Sequence, residues 1–182
     1  LDVVPNHMGI LGNENPWWND VLENGQASVF AESFDIDWAA PTRPENRGNV
    51  LLPLLGGLYG DVLESGDLKL VRDGGSFHVA YFEHRFPLDP RTYEAVLEPA
   101  LGPIVEALGA EAEETLEFQS VLTAVRNLPT QYETDPRRVA ERHREKEIVK
   151  RRLATLLEAS PEIAAAVDRA LDVLDGEPGE PR

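Results

Sequence analysis

The chain has 182 residues, enough to fold around one sizeable core. Its 33 acidic and 17 basic residues give a formal charge of −16, a surface that repels phosphate backbones, so nucleic acid is not an expected partner while a neutral ligand such as a sugar is unaffected. The absence of Cys excludes disulfides and thiolate metal sites, and no apolar run is long enough for a membrane helix, so no membrane partner is expected.

Leu1, Val3 and Val4 read as the end of a buried strand. Pro5 stops it, because proline has no N–H for a sheet ladder. A buried strand at this position leads to the expectation that the chain starts mid-domain and is a segment of a longer protein. Residues 9–92 read as an irregular insertion, with 9–67 rich in Gly, Pro, Asn and Asp. A loop of that length is usually functional or carries small elements of its own. Asn15-Pro16 starts a short helix through Trp17, Trp18, Val21 and Leu22, ended by Asn24-Gly25. Phe34-Asp35-Ile36-Asp37-Trp38 alternates like a strand. Gly56, Gly57 and Gly60 follow no strand-to-helix phosphate-binding pattern and read as turn residues. Residues 59–66 suit one or two helical turns closed by Gly66. Leu68 to Val71 and Phe77 to Phe82 flank Asp73-Gly74-Gly75-Ser76, which predicts a β-hairpin near 68–82.

From Tyr93 to residue 175 the pattern is helical. A first helix carries Val96, Leu97, Ala100 and Ile104, with Gly102-Pro103 as a break or kink. A second covers Ser120 to Leu128. A third begins near Pro136 and holds Arg137, Arg138, Arg142, Arg144, Lys146, Lys150, Arg151 and Arg152. With Glu141, Glu145 and Glu147 interleaved at helical spacing, these bases read as a solvated helix face. Ser160 caps a last helix with Pro161 at its first position. Residues 176–182 read as a disordered tail or linker. The fold class expected is therefore mainly α with a small β-hairpin.

Candidate chemistry starts at Asp2-Val3-Val4-Pro5-Asn6-His7, a strand end that presents a carboxylate, an amide and an imidazole. Behind it come, in order, Asn15-Pro16-Trp17-Trp18, Leu22-Glu23-Asn24-Gly25, Phe34-Asp35-Ile36-Asp37-Trp38, Leu52-Pro53-Leu54-Leu55-Gly56 and Arg85-Phe86-Pro87-Leu88. The first run matches D-x-x-x-N-H of the α-amylase superfamily of glycoside hydrolases. The whole series resembles the maltooligosyltrehalose synthase family within it, densely over residues 1–99 and thinly beyond.

That resemblance implies a parent (β/α)₈ TIM barrel in which residues 1–8 end strand three. It implies an isomerase-type intramolecular transglucosylase that turns the reducing-end α-1,4 linkage of a maltooligosaccharide substrate into an α,α-1,1 linkage, in the cytoplasm. The family's nucleophilic Asp, acid/base Glu and third Asp lie on later strands, so no catalytic residue is expected within these 182, and the segment alone is expected to be inactive. Substrate contact is carried over to His7, whose neutral imidazole suits a sugar hydroxyl, and to Asn6. Asp2 supports the site through hydrogen bonds. Trp17 and Trp18 offer faces for sugar rings and suit core packing equally well, while Trp38 reads as core. Asp35 and Asp37 share a face on a strand but show no environment that would make one an acid. In some amylases the matched Asn binds calcium, but one oxygen ligand is not a calcium site, so neither metal nor cofactor is expected. Self-association through surfaces that a barrel would cover is also expected. The alternatives are another α-amylase-type glucan hydrolase or transferase, or a non-catalytic helical interaction domain.

Overall fold

The computed structural model describes residues 15–39 and 47–176. Asp2, Asn6 and His7, the strand end at 1–8, and the tail beyond Gly176 lie outside the described residues. The order is α1 (Pro16–Asn24), α2 (Tyr59–Glu64), β1 (Leu68–Asp73), β2 (Ser76–Tyr81), β3 (His84–Pro87), α3 (Glu94–Leu108), α4 (Glu113–Asn127), α5 (Pro136–Ala159) and α6 (Pro161–Asp175). The fold is thus mainly α, with one small antiparallel sheet in the order β1-β2-β3.

Four helices, α3 to α6, supply most of the core. Val96, Leu97, Ala100 and Ile104 of α3 meet Phe118, Val121, Leu122 and Val125 of α4. Val149, Leu153, Leu156 and Leu157 of α5 and Ile163, Ala166, Val167 and Leu171 of α6 complete the cluster. Each set recurs at three- and four-residue spacing, which puts it on one helix face. Helix α3 runs unbroken through Pro99 and Pro103, so of the break or kink expected at Gly102-Pro103 the break is absent. Helix α4 begins at Glu113, seven residues before the sequence pattern suggested. Its first turn holds Glu113 and Glu114, which favour a helix N-terminus but carry no apolar signal. Ser160 caps α6 as expected, its hydroxyl accepting from the Ile163 N–H at 3.3 Å.

The hairpin pairs Asp73 with Ser76 and Leu68 with Tyr81. Phe77 turns into the helical core, where its ring meets that of Tyr93 edge-on at 4.7 Å. The free edge of β1 is covered by α6. Asp175 Oδ1 accepts from the Leu70 N–H at 2.7 Å, and Asp168 pairs with Arg72. That gives one N–H of the edge a partner and lays a helix along the strand. A third strand, β3, was not foreseen. Its two-residue turn puts Phe82 at φ +50, a left-handed conformation that L-residues rarely adopt, and no Gly or Asn marks it. Pro87 pairs with His78 at the sheet edge, where no N–H is needed.

Phe34–Trp38 is not a strand. Phe34, Ile36 and Trp38 are half-buried and Asp35 and Asp37 exposed, so the alternation is real. No strand pairs with it among the described residues. Its backbone closes on itself, Ile36 N–H to Phe34 O at 3.0 Å and Trp38 N–H to Ile36 O at 3.1 Å. Trp38 is accordingly half-buried rather than core.

The hairpin tip fixes the sheet on α5. A Cβ on Gly75 would collide with the Lys150 carbonyl oxygen and lie 2.8 Å from the Ala154 nitrogen. Gly74, at φ +55, has nothing nearer than 3.7 Å. Gly75→Ala is therefore expected to lower the unfolding free energy by about 1–3 kcal/mol through overpacking against backbone. Gly74→Ala should cost about 1–2 kcal/mol through its backbone angle alone. Urea denaturation of variants at both positions, with Gly74→Ala followed by Gly75→Ala in order of severity, checks the docking. A Gly75→Ala protein as stable as the wild type would contradict it.

Candidate functional site

Helix α1 carries the two candidate side chains within the described residues. Pro16 sits at its first position and leaves no N–H to satisfy. The buried Asn15 side chain accepts from the Trp17 and Trp18 N–H groups, each at 3.1 Å. This local cap explains why the helix starts where it does. Successive residues of a helix point about 100° apart, and that separates the tryptophans. Trp18 is buried and tilts against Phe34 at 5.0 Å. Trp17 is 44% exposed and stacks nearly parallel on Phe30, with centroids 5.0 Å apart and planes at 8°. Trp18 is thus a core residue and Trp17 a surface one. A flat ring backed by a second ring is a rigid apolar platform with a polar indole edge, the shape on which a sugar ring can lie.

The other end of α1 is held by charge. Asp20, Glu23 and Asn24 recur at three- and four-residue spacing and face Arg142, His143, Lys146 and Lys150 of α5. Glu23 accepts from Lys146 at 2.5 Å through Oε2 and from Lys150 through Oε1. Arg142 is fully buried. Its guanidinium donates to Asn24 Oδ1 (3.2 Å), the Glu23 carbonyl (3.1 Å), the Pro129 carbonyl (2.6 Å) and Asp89 Oδ1 (2.7 Å). His143 Nε2 donates to the Ala27 carbonyl at 2.9 Å. The expected solvated face is corrected here. Arg142 and Lys146 are buried and Lys150 and Arg152 half-buried, while Arg137, Arg138, Arg144 and Arg151 remain exposed. A signal was present: 142, 146, 149, 153 and 156 continue one four-three stripe, so the apolar face of α5 runs backwards into its two buried cations.

This cluster is a clamp rather than an acid–base centre. Burial works to raise the Glu23 carboxyl, but Lys150 and Lys146 outweigh it and hold the group below its ordinary value. Burial likewise works to lower Lys146, and Glu23 reverses it, so Lys146 stays raised and charged. Hydrogen bonds from Arg152 and Arg72 lower Glu117 and Asp168. Retaining sugar chemistry needs two carboxyls about 5 Å apart across the scissile bond, one of them a raised acid. Asp35 and Asp37 are both exposed, and Asp37 Oδ1 accepts from the Ala39 N–H at 3.1 Å. Among the described residues no group of three or more His, Asp or Glu could hold a metal ion, and His78 and His84 belong to none.

Two curated proteins of Mycobacterium tuberculosis, one from strain CDC 1551 / Oshkosh and one from strain ATCC 25618 / H37Rv, share the name "Putative maltooligosyl trehalose synthase" and resemble this chain. Each is 41% identical to it over 85 residues, a stretch that takes in 42% of this chain and 10% of the relative. The chain therefore spans about a tenth of the length of these relatives. No family model matches, and no solved structure matches.

Removing a buried cation that holds several acceptors takes away their shared partner, and Asp89 keeps only the Arg91 N–H, so Arg142→Ala should lower stability by about 3–5 kcal/mol, read by chemical denaturation. The ion pairs also set an acid limit. Because the folded Glu23 pKa lies below its ordinary 4.5, its contribution is complete above that pH and is lost as pH falls through the folded value. The stability gap between wild type and Glu23→Gln should therefore be constant near neutrality and close below about pH 4.5. A gap unchanged by acid would contradict the clamp.

Proposed function

We propose that this chain is a segment of an α-glucan-converting enzyme of the maltooligosyl trehalose synthase type, and that it supplies part of the sugar-contacting surface and none of the reacting carboxyls. The observation that carries this reading is the 41% identity over 85 residues with the two mycobacterial proteins of that name. The placement of Trp17 supports it, since the ring is surface-exposed, stacked on Phe30 and carried by a helix fixed at both ends.

In the intact enzyme, a (β/α)₈ barrel in the cytoplasm, the reaction is an intramolecular transfer. The reducing-end α-1,4 bond breaks as a carboxylate from another part of the enzyme forms a glycosyl intermediate. The 1-hydroxyl of the released glucose then attacks that intermediate and gives the α,α-1,1 bond. Water has to be kept away, since its attack would give hydrolysis instead. His7 and Asn6 contact the sugar beside the reacting bond, and Asp2 holds that strand end by hydrogen bonds. Trp17 holds a sugar ring by stacking and orients the chain. A neutral substrate meets no penalty from the acidic surface.

Incubating the full-length enzyme with maltopentaose should give a non-reducing product of unchanged mass, and the 182-residue chain alone should give none. Trp17→Ala in the full-length enzyme should raise KM about three- to tenfold with a smaller change in kcat, in line with the loss of one aromatic contact. Free glucose or maltose as the main product would replace this reading with a hydrolase.

A further inference from the structure

An apolar stretch before the hairpin is left largely uncovered. Nine of the 14 residues at positions 50–63 are Val, Leu or Tyr, and of these nine only Val62 is buried. Leu51, Leu58, Tyr59 and Leu63 are exposed. The stretch is nonetheless fixed in place. The Gly56 N–H donates to the Tyr81 hydroxyl of β2 at 2.9 Å. Val62 anchors α2, and its carbonyl accepts from the Ser65 hydroxyl at 2.9 Å and the Asp67 N–H at 3.3 Å. Beside α2 lies a groove of about 310 Å³, walled by Tyr59 and Leu63 of α2, Leu68 and Leu70 of β1, Val79 of β2 and Leu174 of α6. Apolar side chains held around a concavity, on a strongly acidic chain, cost free energy for as long as they face water.

The lining decides what the groove can take. Its polar side-chain groups are the Tyr59 hydroxyl, Lys69 and Asp175. Asp175 Oδ1 already accepts from the Leu70 N–H. A glucan, covered in hydroxyls, would leave most of them without partners here, whereas an apolar peptide segment would not. Lys69 is exposed at the rim and has no ion pair among the described residues. The segment that fits therefore places a carboxylate beside its apolar side chains. Two sources can supply such a segment, and they are not equal. A second copy brings a formal charge of −16 towards the same −16, which opposes approach. The rest of the same polypeptide is tethered, since most of the length of the mycobacterial relatives lies outside the stretch this chain matches. A tethered segment acts at an effective concentration of roughly millimolar order, which favours it over a free copy.

We propose that this groove, together with the exposed stretch at 50–63, is the face by which the chain docks on the rest of its own polypeptide, through an apolar segment with an acidic residue placed for Lys69. This rests on one part of the reading above, that the chain is a segment of a longer protein, and not on which reaction that protein catalyses. It divides the exposed apolar side chains into two sets, those around α2 that the intact protein covers and Trp17, which it leaves open.

Hydroxyl-radical footprinting of the full-length protein and of the 182-residue chain, each over a range of concentrations, tests it. In the dilute chain Leu58 and Leu63 should label as exposed side chains. In the full-length protein both should fall towards the level of Val62, which is 6% exposed, a drop of about tenfold for Leu58 from its 75%. That protection should be the same at every concentration. In the full-length protein Leu63→Asp should restore labelling at Leu58, and Lys69→Glu should restore part of it, while Lys69→Arg, which keeps the charge, should match the wild type. The proposal is overturned if Leu58 and Leu63 label equally in the two proteins, if their protection in the full-length protein fades on dilution, which would identify a second copy as the occupant, or if Lys69→Glu labels like Lys69→Arg. The enzyme reading is judged separately, on maltopentaose products. A full-length hydrolase in which Leu58 is protected would keep the docking face and replace only the reaction.

Discussion

Taking a guanidinium out of water costs several kcal/mol unless its N–H groups all find acceptors. Arg142 meets that condition only by drawing three distant segments together. Asn24 and the Glu23 carbonyl come from the end of α1, Pro129 from the turn before α5, and Asp89 from the stretch between β3 and α3. None of these contacts is local, since they link positions 13 to 119 residues apart. The Glu23 carbonyl is also one of the groups that the end of α1 leaves without an intrahelical partner, at the negative end of the helix dipole. The same cation therefore closes a helix terminus, neutralises a carboxylate and fixes a loop. Lys146 and Lys150, one and two turns further on, extend the clamp along Glu23.

The consequence is an irregular region with rigid surface features. Residues 15–39 bury few large apolar side chains, Trp18 and Val21 being the main ones. Apolar contact alone would leave a nine-residue helix free to rotate on its neighbours, because dispersion and burial are nearly indifferent to orientation. Directed hydrogen bonds from α5 remove that freedom, while the Asn15 cap sets where the helix starts. Which of two adjacent tryptophans faces solvent is decided by that rotation. The placement of Trp17 on the surface and Trp18 in the core is thus a product of a charge cluster at the far end of the helix.

Local signals were legible in the sequence, and long-range ones were not. Asn15-Pro16, Gly74-Gly75 and Ser160-Pro161 each determine their own neighbourhood, and each element starts or turns where those residues indicate. The third strand was hidden because its turn uses Phe82 in a conformation normally left to Gly. The alternation at Phe34–Trp38 truthfully reported one face in and one face out, but a strand also needs a partner, which sequence periodicity does not encode. Charge alone points Arg142 and Lys146 towards solvent, because charged residues seldom lie fully buried. Only the stripe they share with Val149 and Leu153 argued otherwise. At the site, the tryptophan pair could be named from the sequence but not divided.

An ionic clamp in this place also bears on why the region need not have a larger apolar core. Replacing a buried ion network by apolar residues of equal volume is often neutral or stabilising, so net stability is a weak explanation for keeping it. Orientation is a stronger one. On the function proposed above, a surface that contacts a neutral, flexible oligosaccharide gains little from charge and much from rings held in place before binding. Three cations of α5, Arg142, Lys146 and Lys150, are spent inside the protein, on Glu23, Asp89 and backbone carbonyls. The exposed ring of Trp17 is thereby held with no charged group among its stacking partners, on an otherwise acidic surface. The clamp thus supplies rigidity to the aromatic face without making that face attractive to anions.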